Sequence, residues 1–509
     1  MRSLVSLSAL LVVLILGACV SHDAYRTHLI DAAAAHNTLR CPADVHGATV
    51  PDCKNVTPEI FDDKYELHFV EFDDQGWLHP ASNPDDTTEA SDQSSRQVDA
   101  LMARLKQLLQ AGTNLKVIVF VHGWKHNASL DDANVKDFRR LLERAASDEL
   151  PQSAPRKVIG IYVGWRGKPW KIPEPLLNLS FWSRKDTASR VSVGSVREMF
   201  ARIRSLQRYF NTQAVNEDAP ERMRTLMIGH SFGGLILYAA TAGPLIEVLT
   251  AREDLAGLPP LHSDRPGSKK RYEETERIAD MIVLVNPAFE ASRFQALYRV
   301  ANENTHTCYE PPLLMSITSE TDEATKVAFP AGRFINTLFE RPTSSEEQAT
   351  AIKRTPGHMP PYITHMLHGT TTPSPIPTHD ETTSKLDETC GDWTPASKLL
   401  TLEGEQLANA VKENRIQEVK QSTEFIKHLN ASGADERPWT RTFCGGARLD
   451  TVKQDGAHNA QTLVWNILAD SDIIDGHNDV MNPALLDFVR QMFRDTELSP
   501  ELTNQCISQ

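Results

Sequence analysis

Five apolar runs that alternate with helical patterns between residues 117 and 318 constrain this chain of 509 residues more than any other feature. The runs are Val117 to Val121, Lys157 to Val163, residues 225 to 229, Met281 to Val285 and Leu313 to Thr318. Near-continuous apolar runs mark strands covered on both faces, as in a parallel sheet. Between them, helical periodicity is read over 133–146 (Phe138, Leu141 and Leu142 on one side), 193–210, 234–250 and 291–302. A strict strand-helix alternation is buried by a doubly wound, mostly parallel sheet with short right-handed crossovers. The expected class is α/β, and ligands in that architecture sit beyond the carboxyl ends of the strands.

The flanks read differently. Residues 20–60 show no sustained periodicity and are expected to form an N-terminal arm. Tyr65 to Phe72 alternates, Asp73-Asp74-Gln75-Gly76 turns and Trp77-Leu78 resumes, which predicts an N-terminal β-hairpin. Residues 80–95 form a polar linker, and Val98, Leu101, Met102, Leu105, Leu108 and Leu109 share one helical face. From 345 to 460 the pattern breaks: 370–389 is rich in Thr, Pro and Asp, whereas Leu399 to Val419 is compatible with helix. That stretch is expected to be a large insertion or lid. Order returns with a last strand, 462–468, and a closing helix, 482–493. The domain organisation expected is therefore 1–18 as signal peptide, 19–60 as arm, 61–344 with 461–498 as the α/β domain, and 345–460 as insertion.

Met1-Arg2 precedes an apolar run from Leu10 to Leu16 that is too short to span a bilayer, then Gly17-Ala18-Cys19. Leu16-Gly17-Ala18-Cys19 resembles the lipobox of bacterial lipoproteins, which implies acylation of Cys19, a membrane anchor and a place in the cell envelope. Val20 stands where an aspartate would resemble an inner-membrane retention signal, so an outer-membrane or periplasm-facing site is expected. A net charge of −14 excludes the basic footprint that nucleic-acid binding requires; Lys269-Lys270-Arg271 reads as solvated loop. Cys41, Cys53, Cys308, Cys390, Cys444 and Cys506 permit up to three disulfides in an exported chain, Cys41 with Cys53 being the favoured local pair. No C-x-x-C, H-E-x-x-H, G-x-x-x-x-G-K-[ST] or G-x-G-x-x-G occurs, so no metal or organic cofactor is expected.

The chemistry-bearing stretch is Gly229-His230-Ser231-Phe232-Gly233-Gly234, between an apolar strand and a helix-compatible run. A bare G-x-S-x-G arises by chance in roughly one chain in six of this length, so its weight comes from its setting. A serine at such a turn projects its hydroxyl from the sheet edge. Gly229 and Gly233 remove side chains that would collide where strand and helix nearly touch. Downstream come an acidic run, Ser319-Glu320-Thr321-Asp322-Glu323, after one strand, and His477 between the last strand and the closing helix.

This order of nucleophile, acid and histidine resembles the α/β-hydrolase superfamily of serine esterases and lipases over roughly residues 115 to 340 and 460 to 495. The resemblance implies Ser231 as nucleophile, His477 as general base and Asp322 as acid, with Glu320 as the other candidate acid. It also implies an oxyanion hole from the backbone N–H groups of Phe232 and Trp124, the latter following His122-Gly123. The expected activity is hydrolysis of a small-molecule or lipid ester, or a related acyl bond; a binding module that keeps the fold without turnover is the alternative. His358, His365 and His368 compete with His477 for the base. His122 and His126 are expected to hold the oxyanion loop in shape, and Asp475 and Asp479 to act in turns and caps.

Overall fold

The computed structural model describes residues 24–30, 55–61, 64–79, 96–152, 154–168, 180–212, 221–254, 275–303, 308–336, 346–370, 390–399, 401–431, 439–452 and 462–507. The stretch ending at Cys19, the Cys41–Cys53 pair, the linker 80–95 and residues 371–389 lie outside the described residues.

Two short strands, β1 (His28–Leu29) and β2 (Val56–Thr57), pair with each other in parallel. The remaining strands are β3 (Glu59–Phe61), β4 (Tyr65–Glu71), β5 (Leu115–Val121), β6 (Lys157–Gly164), β7 (Met223–His230), β8 (Met281–Val285), β9 (Leu314–Ser319), β10 (His365–His368), β11 (Thr440–Thr442), β12 (Arg448–Thr451) and β13 (Val464–Ala469). They form one sheet in the order β11-β12-β10-β13-β9-β8-β7-β5-β6-β4-β3. All neighbours from β4 to β10 in that order run parallel, and β3, β12 and β11 are the antiparallel margins.

The helices used below are α1 (Arg96–Gln110), α2 (Ala133–Ser147), α3 (Phe181–Val193), α4 (Val196–Thr212), α5 (Phe232–Asp254), α6 (Ala291–Glu303), α7 (Gly404–Ala431) and α8 (Pro483–Ile507). They cover both faces of the sheet. Val117, Val119 and Val121 join one core with Leu101 and Leu105 of α1, Met199 and Ile203 of α4, Leu235 of α5 and Phe294 of α6. Ile118 and Phe120 point the other way, into a second core that includes Phe138 and Leu142 of α2, Phe425 of α7 and Phe488 of α8. A period of two in the strand meets a period near 3.6 in each helix, so both sheet faces are buried. Helix α5 is apolar enough over Phe232–Ala251 to cross a membrane, with a mean hydropathy of 1.6, but Leu235, Ile236, Leu237, Leu245 and Leu249 belong to the core.

Several expectations are corrected at the margins. The antiparallel partner of β4 is β3, which lies in the stretch read as an arm; Trp77-Leu78 returns through a single bridge, Phe72 to Leu78. A two- or three-residue strand carries no readable period, which is why β2 and β3 were invisible as pattern. Residues 24–30 dock on the sheet as well: the backbone N–H groups of Tyr25 and Arg26 donate to the Glu71 carboxylate at 2.9 and 2.7 Å, and Arg26 pairs with Glu59 at 2.8 Å. The stretch 345–460 is built into the sheet through β10, β11 and β12 and covers one face with α7. Buried Glu418 of α7 binds Arg490 at 2.6 Å and also Arg494 of α8, and a Cys390–Cys444 disulfide closes the same region. The helix read over 193–210 is α4, and α3, which was not read, precedes it and ends at Gly194.

Candidate active site

Strand β7 ends at His230, helix α5 begins at Phe232, and Ser231 between them has φ 55°. Among the described residues the other non-glycine residues at positive φ are Lys125 (71°) and Asn286 (47°). All three stand directly after or close to the carboxyl ends of adjacent strands, β7, β5 and β8. Left-handed backbone at non-glycine residues costs free energy and persists only where surrounding structure enforces it.

The glycines explain how the elbow closes. A Cβ on Gly233 would lie 2.0 Å from the Val121 carbonyl oxygen, and one on Gly229 would lie 2.8 Å from the Gly233 oxygen. A Cβ on Gly123 would sit 2.8 Å from Ser231 Cβ, which brings the loop after β5 against the serine. Ser231 continues the sheet with an N–H bond to the Val285 oxygen at 3.0 Å, while its own carbonyl accepts from Ala288 N–H at 3.2 Å.

Three predicted residues meet in one line. His477 Nε2 is 2.9 Å from Ser231 Oγ, and His477 Nδ1 is 2.9 Å from Asp322 Oδ2. An ionised carboxylate only accepts, so Nδ1 carries the proton and Nε2 is left to accept the serine hydroxyl. Asp322 is fully buried and His477 is 18 % exposed. Burial by itself would raise the Asp322 pKa; hydrogen bonds from His477 and Thr325 and the charge interaction with His477 outweigh it and hold the acid below its ordinary value. Glu320, the other candidate acid, is exposed, and Lys326 donates to its backbone oxygen at 3.0 Å. Ser231 is 2 % exposed, so its hydroxyl is screened from bulk water.

The carbonyl of His477 has two donors that sequence reading did not pick out. His230 Nε2–H reaches it at 3.0 Å and Asn286 Nδ2–H at 3.0 Å, while Asn286 also binds the Gly476 oxygen at 3.0 Å. Asn286 Oδ1 accepts from Ser319 N–H at 2.8 Å, linking β8, β9 and the histidine loop. Ser319 Oγ donates to the Ile474 oxygen at 2.7 Å, and Thr321 Oγ1 accepts Gly476 N–H at 2.9 Å. Burial, then the neighbouring His477, depress the pKa of His230 far below the usual range and keep it a neutral donor. The visible signal in the chain was only that Asn286-Pro287 ends a buried strand.

The loop after β5 is held by His122. Its Nδ1–H donates to the Gly123 oxygen at 2.9 Å and its Nε2 accepts Trp165 N–H at 3.1 Å, with the ring stacked on Trp165 at 5.5 Å. Burial drives its pKa down to about 4 against the opposing pull of the Gly123 carbonyl. Among the described residues neither Phe232 nor Trp124 spends its backbone N–H on another backbone group, and Lys125 N–H turns to the Gly167 oxygen at 3.1 Å. Trp124 packs edge-on to Phe181 at 5.2 Å, Phe181 lies 4.7 Å from Phe232, and Trp182 lies 5.9 Å from Phe329. These rings form an apolar wall beside the elbow. His126 is bound to Asp132 at 3.0 Å.

The competing histidines are elsewhere. His365 is buried in β10 between Trp439 and Trp465, at 5.2 and 4.4 Å, and His368 lies between Asp450 and Asp470 at 3.7 and 3.6 Å. His358 reaches the acid through Thr325 rather than the serine. Asp479 acts in the turn, accepting Asp475 N–H at 3.0 Å, and the cap of α8 is Asn482, whose Oδ1 accepts Ala484 N–H at 2.9 Å.

No protein-family model matches the chain, and no curated protein matches it in sequence. Among solved structures it is similar to phospholipase PlaB from Legionella pneumophila, in complex with thio-NAD, at 12 % identity and a TM-score of 0.21, over 67 % of this chain and 68 % of that one. A likeness of that depth sets neither fold nor function.

Proposed function

We propose that this protein is a serine hydrolase that cleaves an ester or related acyl bond through an acyl-Ser231 intermediate. The observation that carries the reading is the Ser231–His477–Asp322 line, drawn from positions 246 and 155 residues apart with both hydrogen bonds at 2.9 Å. Three residue types with one joint chemical use meet there at the end of a parallel sheet.

In this reading His477 Nε2 takes the Ser231 proton as Oγ attacks the acyl carbon. The C–Oγ bond forms, the carbonyl electron pair moves to oxygen, and collapse of the tetrahedral species expels the leaving group, which receives the proton from His477. Water then repeats the sequence with the acyl-enzyme and frees the acid. Asp322 holds the Nδ1–H tautomer and stabilises the imidazolium. Phe232 and Trp124 N–H would face the oxyanion, each donor being worth about 3 kcal/mol in the transition state. The aromatic wall of Trp124, Phe181 and Trp182 favours an apolar acyl group. From Leu16-Gly17-Ala18-Cys19 we further propose a lipid-anchored protein of the bacterial cell envelope.

A fluorophosphonate probe should label the wild type and leave Ser231→Ala unlabelled. A folded wild type that resists the probe would instead favour a binding module without turnover. Acyl esters of graded chain length would then report the depth of the apolar wall, and Cys19→Ala should release the protein from the membrane fraction; unchanged membrane recovery would refute the anchor.

A further inference from the structure

Asp322 is bound from two sides. Its Oδ1 accepts Ala324 N–H at 3.0 Å and Thr325 N–H at 3.1 Å, and its Oδ2 accepts His477 Nδ1–H at 2.9 Å and Thr325 Oγ1–H at 2.6 Å. The Thr325 hydroxyl has a single proton, and a carboxylate can only accept it. The second neighbour of that hydroxyl, His358 Nε2 at 3.1 Å, must therefore be the donor. One hydrogen-bonded line thus runs from His358 through Thr325, Asp322 and His477 to Ser231. Thr325 lies in a π-helical turn, Ala324–Ala328, and His358 closes a 3-10 turn, Pro356–His358, in the stretch that builds β10. π-turns are found frequently at functional sites, where they re-aim a side chain.

We propose that His358 is a positioning residue for the acid: by donating to Thr325 it commits the threonine proton to Asp322 Oδ2, and so sets how strongly Asp322 holds His477. A hydroxyl rotates to suit its neighbours, and a His358 ring protonated only on Nδ1 would offer Nε2 as a competing acceptor. Thr325 would then turn away and Oδ2 would lose its shortest bond. A carboxylate with one donor fewer is more basic, so it binds the His477 imidazolium more strongly. His358 itself is faced by Asp322, Lys326 and Arg354, Asp322 by Thr325 and His477, and His477 by Asp322 and His230.

The kinetic part of this proposal rests on the hydrolase reading; the spectroscopic part requires only the geometry. Thr325→Val should move the low-field proton resonance of the His477–Asp322 hydrogen bond and raise the acid limb of kcat/KM by about half a pH unit. His358→Leu should act in the same direction, and His358→Gln, whose amide can donate from the Nε2 position, should restore both readouts. In the Thr325→Val background His358→Leu should add nothing, because the line is already cut. The proposal is overturned if His358→Leu leaves resonance and acid limb at wild-type values, or if its effect persists in full with Val at 325. Should His358→Leu fail to fold, an unmoved resonance in Thr325→Val overturns it equally. Absence of fluorophosphonate labelling at Ser231 in the wild type would sink the hydrolase reading and leave the resonance test standing.

Discussion

His230 donates its ring Nε2–H to the backbone carbonyl of His477 at 3.0 Å, so the residue preceding Ser231 holds the residue whose imidazole touches it. Asn286 shares that carbonyl from the next strand. Two donors on one carbonyl fix the histidine loop relative to the elbow. Misplacement of a reacting group by about 1 Å can cost on the order of 100-fold in rate. His230→Leu and Asn286→Ala are each expected to lower kcat by about 10- to 100-fold while KM changes little. Steady-state kinetics beside a thermal melt will separate this from unfolding, and a kcat within twofold of wild type in both variants would refute it.

Asp322→Asn presents an amide where the carboxylate accepts His477 Nδ1–H. The amide favours the wrong imidazole tautomer, and kcat should drop by about 10⁴ with the fold retained. Glu320→Gln, on an exposed side chain, should leave kcat near wild type. The reverse ranking in a single esterase assay would move the acid to Glu320.

Gly123→Ala tests the closeness of the loop after β5 to the elbow. Its new Cβ would lie 2.8 Å from Ser231 Cβ, a distance real Cβ atoms essentially never keep, and 3.0 Å from His230 Nδ1. The elbow or the loop must shift, so turnover and probe labelling should fall by about 10-fold or more. Normal labelling at Ser231 in this variant would mean that the loop yields without consequence.

His122 predicts a pH dependence of stability. Its folded pKa is lowered to about 4 by burial from an ordinary value of 6.5. The unfolded state therefore binds a proton first as pH falls. The stabilisation is complete above pH 6.5 and is lost progressively down to about pH 4, on the order of 3 kcal/mol in total. Urea unfolding of wild type and His122→Phe at pH 7 and pH 5 measures it. The variant should be less stable at pH 7, having lost the bonds to Gly123 and Trp165, and should lose less than the wild type on acidification; equal losses would refute the assignment.

The Cys390–Cys444 disulfide closes a sequence separation of 54 residues. A loop of that size restricts the unfolded chain by roughly 4 kcal/mol on the chain-entropy account. Cys390→Ser with Cys444→Ser should lower the unfolding free energy by a sizeable part of that, measured by denaturant titration. An unchanged midpoint would show that β11, β12 and α7 hold without it.

Ser231 was legible because everything that makes it special is local: an apolar strand, two glycines and a helix lie within a dozen positions, and the strained φ follows from that junction. The strand-helix series was legible for the same reason, since buried strands must be apolar and their helices must repeat near 3.6. Asp322 and His477 could be named because each follows a strand of that series in chain order. What only tertiary structure decided was who touches whom across long separations. Nothing local to Asn286 or His230 announces that they share the His477 carbonyl, 191 and 247 positions away, and nothing local to His358 announces the Thr325 hydroxyl. The short marginal strands, β3 and β10 to β12, were hidden because three or four residues cannot display a period; their pairing comes from neighbouring strands that offer unpaired backbone groups. Local sequence determines which elements form and where a serine is held at a strained turn, whereas hydrogen bonds between loops depend on distances that exist only once the sheet has brought the carboxyl ends of its strands together.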